Sequence, residues 1–109
     1  MYYIMNLINI RDVPKNNIIW EYSNPLKLRK IADKKGYKYD EFYLSNKPNK
    51  KYMLLNPYNN KIIYFGQMGY EDFLKHNNEL RRHNFKNRNK NWIKFDKYSP
   101  AKLSYNLLW

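Results

Sequence analysis

The chain has no cysteine. Disulfides and thiolate metal sites are therefore excluded. That fits the cytosol or nucleus without choosing between them. Glycine is scarce too, with three residues. Gly66-Gln67-Met68-Gly69 is not a phosphate-cradling loop, because it has too few glycines and no following Lys-Ser or Lys-Thr. No apolar run approaches the roughly 18–20 residues of a membrane span. The opening MYYIMNLINI lacks a basic n-region and a small-residue cleavage site, so no signal peptide and no secretion are expected. Acidic residues are few: nine against 21 Lys and Arg, for a net charge of +12.

That charge exceeds what solubility asks of a small domain, a magnitude of roughly 2–8. An AT-rich genome explains part of it. Asn, Lys, Ile and Tyr supply 54 residues, about half the chain, and all four use AT-rich codons. Codon bias does not explain the shortage of acids. The imbalance points to a polyanionic partner. At 109 residues the chain is one domain, or one domain with an ordered arm. Twelve Tyr, five Phe and three Trp are the main core resource. Each such ring buries about 150–250 Å². Twelve Tyr are too many to bury entirely.

Residues 2–10 read as a strand or extended arm, stopped by Val13-Pro14. Ile18–Tyr22 is a second β-prone run. Ser23-Asn24-Pro25 looks like a helix start, a polar cap followed by Pro in the first turn. Leu26, Leu28 and Ile31 give that helix a partial apolar face, and Gly36 ends it. Tyr37–Leu44 alternates like a strand, and Ser45–Lys51 reads as a linker. Lys51–Asn56 and Lys61–Phe65 form a hairpin across Pro57-Tyr58-Asn59-Asn60, where Asn tolerates positive φ. A helix follows from about Tyr70, with Glu71 and Asp72 at the positive end of its dipole. Phe73, Leu74, Leu80 and Phe85 would form its buried side. The expected fold is α+β: a small antiparallel sheet with a central hairpin at about 51–65, flanked by two or three helices. Residues 1–49 make an N-terminal β/α segment or arm. Residues 50–109 make a basic hairpin-helix domain with an apolar C-terminal stretch.

The chemistry concentrates between Lys75 and Lys94. Seven cations (Lys75, Arg81, Arg82, Lys86, Arg88, Lys90, Lys94) face one acid, Glu79. In a continuous helix Lys75, Arg82 and Lys86 lie near one face, and Arg81 and Arg88 near another. Such faces bind phosphates through charge and counterion release. Five Asn between residues 84 and 106 add neutral polar contacts. Trp92 and Tyr98 would stack on bases of a single strand. An acidic protein surface and plain solvation are the competing readings.

His76 and His83 are two helical turns apart, with Glu79 between them. The row lacks the local spacing signatures of a catalytic zinc site. Ordinary surface histidines are the expectation, with no metal and no cofactor. The acidic pairs Asp40-Glu41 and Glu71-Asp72 do not form a nuclease cluster, since neighbouring acids on a helix diverge. Ser23, Ser45, Ser99 and Ser104 lack a nucleophile-elbow context. Ser99-Pro100 is a cap and first turn for a short final helix. Leu103, Leu107, Leu108 and Trp109 are costly to leave in water and are expected to pack on the hairpin near Tyr52, Leu54, Ile63 and Phe65. The rival is an exposed anchor that docks into a partner.

Several elements of residues 50–109 carry a resemblance. They are Lys51-Tyr52, Tyr64-Phe65-Gly66, Gly69-Tyr70 with Asp72-Phe73, Lys75-His76, Glu79, Arg81-Arg82, Asn91-Trp92, and Ser99-Pro100 through Leu107-Leu108-Trp109. Together they resemble a family of small, basic, uncharacterised proteins of giant DNA viruses. The chain departs from it at Asn77-Asn78, where the family is more acidic, and at Arg88-Asn89, where an Arg-His pair is expected. The resemblance implies a viral, virion-packaged protein in the virion or the host cytoplasm or nucleus. It implies no activity. The combined expectation is a non-enzymatic, virion-associated protein that binds an acidic polymer, nucleic acid first. A minor capsid protein cementing larger coat proteins is second, and a metal-dependent nuclease is third.

Overall fold

Asparagine starts most of the helical segments, so the Asn-rich composition has a structural use. The computed structural model describes residues 7–38 and 41–109. Side-chain oxygens of Asn9, Asn17, Asn24 and Asn78 accept from the backbone N–H of Arg11, Ile19, Lys27 and Arg81, and Ser99 does the same for Lys102. Each cap satisfies a donor that helix geometry leaves open. Asn60 (φ 59°) and Asn77 (φ 54°) take left-handed backbone, the first in the hairpin turn and the second at a helix end.

Two 3₁₀ turns, Ile10–Asp12 and Ile18–Glu21, lead into helix α1, Pro25–Lys34. Strand β1 is Phe42–Leu44, β2 is Lys50–Leu55 and β3 is Ile62–Gln67. They form one antiparallel sheet in the order β1-β2-β3. Helices α2 (Phe73–His76) and α3 (Glu79–Arg88), a 3₁₀ turn at Lys90–Lys94, and α4 (Pro100–Leu103) follow. A π-helical turn, Ser104–Leu108, extends α4. Among the described residues the fold is therefore a small α+β domain, with its hairpin where the sequence places it and four α-helices.

Several local expectations are revised. Ile18–Glu21 is a 3₁₀ turn rather than a strand. Asn17 caps it, and the Trp20 indole donates to Pro14 O at 2.9 Å. The expected strand at residues 2–10 falls partly outside the described residues; Asn9 makes a single bridge to Tyr43. Of Tyr37–Leu44, the described strand begins at Phe42, and Tyr39 and Asp40 lie outside the described residues. Helix α1 buries Pro25, Leu28 and Ala32, while Leu26 points outward. The basic helix does not run on from Tyr70. Left-handed Asn77 ends α2, and Asn78 starts α3 in a new direction. Leu74 is buried, Phe73 and Phe85 are half-buried, and Leu80 is 68% exposed.

One core draws on both ends of the chain. Ile10, Ile19, Leu28 and Ala32 meet Phe42, Tyr52, Leu54, Phe65, Leu103, Leu107 and Leu108. Aromatic edges order it: Phe42 packs edge-on to both Phe65 (5.9 Å) and Tyr37 (6.0 Å). Such pairs add about 0.5–1.5 kcal/mol beyond burial. The final leucines pack with the hairpin residues Tyr52, Leu54, Ile63 and Phe65, as their apolarity requires. Burying one Leu side chain is worth about 1.5–3 kcal/mol.

A buried ion pair joins three segments above this core. Lys51 on β2 is 3% exposed, and Asp72 before α2 is 1% exposed. Lys51 Nζ donates to Asp72 Oδ2 (3.2 Å), Tyr70 O (2.6 Å) and Tyr22 O (3.1 Å). Tyr22 O also accepts from Asp72 N. Burial pushes the lysine down from its ordinary pKa and the aspartate up, and each partner's charge opposes that shift. Ser23, which accepts from Tyr52 Oη at 2.7 Å, also favours the carboxylate. Asp72 Oδ1 nonetheless makes no hydrogen bond of normal geometry among the described residues. Removing one partner leaves the other charge buried and uncompensated. Lys51→Met or Asp72→Asn alone should each cost about 3–5 kcal/mol. The double variant should cost clearly less than the sum. Denaturant unfolding checks this, and additive losses would contradict it.

Candidate nucleic-acid interface

Gly66 sets the floor of a cleft. Its φ is +82°, and a Cβ there would meet Leu108 Cδ1 at 2.9 Å and Lys51 Cβ at 3.1 Å. Only glycine lets β3 and the final turn approach this closely. The cleft has a volume of about 600 Å³ and runs between β3, the Tyr70–Asp72 segment, α3 and α4. Lys50 and Lys51, and Arg81 and Arg88 on α3, line it opposite Glu71 and Asp72. Tyr64, Tyr70, Phe85, Trp92 and Trp109 supply aromatic walls, and Asn84 a neutral polar group.

The helical period explains why Arg81 and Arg88 share the cleft. They are seven residues apart, two turns of one helix face. Phe85, between them on that face, stacks on Trp109 at 4.2 Å with ring planes 6° apart. Trp92 meets the same Phe85 edge-on at 5.8 Å. Arg81 reaches Glu71 at only 3.9 Å, with both side chains about half exposed. Such a pair is worth about 0–1 kcal/mol and leaves the guanidinium available. Lys50 and Arg88 have no ion-pair partner among the described residues.

The other cations of the segment are placed differently. Arg82, with its side chain 40% exposed, is engaged by its neighbours: its Nε donates to Trp109 O at 2.6 Å, its guanidinium lies 4.8 Å from the Phe73 ring centre, and Nη1 is 3.7 Å from Glu79 Oε2. Lys86 sits 4.9 Å from the Tyr105 ring centre. Burial, then Arg82 and Lys35, push the Lys86 pKa down from its ordinary value. Both residues hold the fold together. Lys75, Lys90 and Lys94 are exposed and do not line the cleft. Tyr98 is also away from it, packed edge-on to Tyr37 (5.6 Å) and Tyr58 (5.7 Å). Burial, followed by Tyr58, pushes its phenol pKa up. The cleft thus gathers Arg81, Arg88 and Trp92 from the sequence-predicted set. It adds Lys50, Tyr64, Tyr70 and Trp109, which the sequence does not place among the nucleic-acid contacts.

The His-Glu-His row does not exist as a single helix face, because α2 ends at left-handed Asn77 and Glu79 and His83 belong to a separate helix, α3. His76 Nδ1 accepts from Asn78 N at 2.9 Å, so Nε2 carries the proton. Nε2 is buried with no hydrogen-bond partner among the described residues, and the ring lies 5.2 Å from Trp109. Among the described residues no group of three or more His, Cys, Asp or Glu is placed to hold a metal. No helix among them is long and apolar enough to cross a membrane.

Residues 41–89 are similar to a family of unknown function, DUF5754. The matched stretch takes in all three strands, α2 and α3, and so the floor and one wall of the cleft. No curated protein and no solved structure matches the chain.

Burial, then the Arg81 charge, hold the His76 pKa below its ordinary value of 6.5. The unfolded chain therefore takes up a proton at a higher pH than the folded one. His76 contributes its full stability above pH 6.5, and that contribution is lost as pH falls through 6.5 toward the folded pKa. Melting temperature should drop more steeply from pH 7.5 to 5.5 in the native protein than in His76→Gln, by thermal unfolding followed by circular dichroism. Parallel curves would contradict this.

Proposed function

We propose that this is a non-enzymatic protein that binds nucleic acid through the basic, aromatic-walled cleft between β3 and α3. The carrying observation is that Lys50, Arg81 and Arg88 converge on one concavity, while Arg82 is engaged by Trp109 O, Phe73 and Glu79, and Lys86 by the Tyr105 ring. Convergent cations in a cleft concentrate field and attract phosphate. The exposed Lys75, Lys90 and Lys94 extend the positive surface and favour approach of a polyanion. The sequence resemblance supports a viral setting, with the protein packaged beside a genome.

A second reading rests on apolar surface. Leu80, Ile93 and Phe95 are 68%, 55% and 48% exposed, on α3 and the segment after it. Exposed apolar side chains suit a protein partner, which fits a minor capsid protein.

Fluorescence anisotropy with a labelled oligonucleotide separates the two. Nucleic-acid binding should weaken with salt, with log K against log salt sloping about −3 to −4 if roughly four phosphates are engaged. The triple variant Lys50→Glu, Arg81→Glu, Arg88→Glu should abolish it at moderate salt while keeping the native melting profile. Absence of binding at low salt, or binding indifferent to the triple variant, would favour the capsid reading. Incubation with magnesium, manganese or zinc should leave DNA and RNA intact. Metal-dependent cleavage that disappears in His76→Ala or Glu79→Ala would overturn the non-enzymatic assignment.

A further inference from the structure

We infer that the cleft accepts a single strand, with bases stacked on Tyr70 and Trp92 and phosphates held by Lys50, Arg81 and Arg88. This deepens the nucleic-acid reading and rests on it. Three observations carry it.

The first is the direction the cations face. A protein that grips a duplex usually presents a convex helix or ribbon to a groove about 12 Å wide. Here α3 does the reverse. Arg81 and Arg88 line a concavity. Arg82 on its neighbouring face is occupied by Trp109 O and Phe73. A ligand that touches both Arg81 and Arg88 meets the concave side of the cleft, which suits a strand with splayed bases better than a rigid duplex.

The second is size and floor. A volume of about 600 Å³ falls within the range of sites that enclose small organic groups, about 300–1,000 Å³. That is room for unpaired bases. Gly66 lets Leu108 and Lys51 pack closely where it lines the cleft, since a Cβ would meet both.

The third is the state of the rings. Tyr70 is 71% exposed, lines the cleft, and has no ring partner among the described residues. Its carbonyl is held by Lys51 at 2.6 Å, so the residue is fixed at its backbone while its ring stays in water. Trp92 meets only Phe85, edge-on, among the ring contacts of the described residues. A fixed, exposed aromatic beside Lys50 and Arg88, which have no ion-pair partner among the described residues, is the combination that binds single strands with little sequence preference, since every base offers a π-face.

The test uses the intact chain and a labelled oligo(dT) of about twelve nucleotides, beside a mixed-sequence duplex of equal length, at one low salt concentration. Oligo(dT) should bind at least about tenfold more tightly than the duplex, and should quench tryptophan fluorescence. Tyr70→Ala and Trp92→Ala should each weaken oligo(dT) binding about tenfold while leaving the salt slope unchanged. Tyr70→Ala is the safer variant, because its exposed ring adds little to the core. If duplex and single strand bind equally and Tyr70→Ala binds oligo(dT) like the native protein, the single-strand inference falls and the charge-based reading stands. If neither ligand binds at low salt, both fall.

Discussion

The Lys51–Asp72 pair is the constraint on which the rest of the structure hangs. Both groups are almost fully buried, and burial works against the charge on each. A hydrophobic pair of similar volume often serves stability as well or better. What the ion pair supplies is position. Through one ammonium it fixes β2, the end of the Ile18–Glu21 turn at Tyr22 and the Tyr70–Asp72 segment. That segment is a wall of the cleft, and Gly66 beside Lys51 is its floor. The charge pair therefore connects the stability of the core to the shape of the site.

From that frame follows a division of labour among the cations. The sequence shows a run of basic residues with equal claims on a partner. The structure separates them. Lys51, Arg82 and Lys86 are committed to backbone carbonyls, an acid or aromatic faces within the fold. Lys50, Arg81 and Arg88 converge on the cleft, and Lys75, Lys90 and Lys94 remain at the surface. Net charge alone speaks to non-specific attraction. Convergence of three cations with aromatic rings is what gives the attraction a place.

Local chemistry was the legible part of the sequence. Asn24-Pro25 starts α1, Gly36 with φ +84° follows its end, and Ser99-Pro100 starts α4, because caps and Pro act over a few residues. The Pro57-Tyr58-Asn59-Asn60 turn between two apolar runs marks the hairpin, and the apolarity of Leu103, Leu107 and Leu108 requires their packing. The α2–α3 break was missed because Asn77 was not read as a left-handed stop, so charges were laid out on a helix face that does not exist. Ile18–Tyr22 reads as a β-prone run on its residue types, and the Asn17 cap overrides that preference with a 3₁₀ turn at Ile18–Glu21. Tyr98 was grouped with the site on composition, yet it packs against Tyr37 and Tyr58 on another part of the fold. The cleft itself joins residues far apart in the chain, such as Lys50 and Trp109. No local pattern encodes that. The glycine at position 66 is the one sequence signal, since its positive φ is visible only in the structure.

The most direct test of the central claim is an amide and indole chemical-shift map of the ¹⁵N-labelled protein titrated with oligo(dT). The account predicts that the Trp92 indole and the amides of Lys50, Gly66, Tyr70, Arg81 and Arg88 move together and saturably. The amides around Tyr37, Tyr58 and Tyr98 should stay in place. Perturbation centred on Tyr58 and Tyr98, or on Leu80, Ile93 and Phe95 with the cleft unmoved, would contradict it.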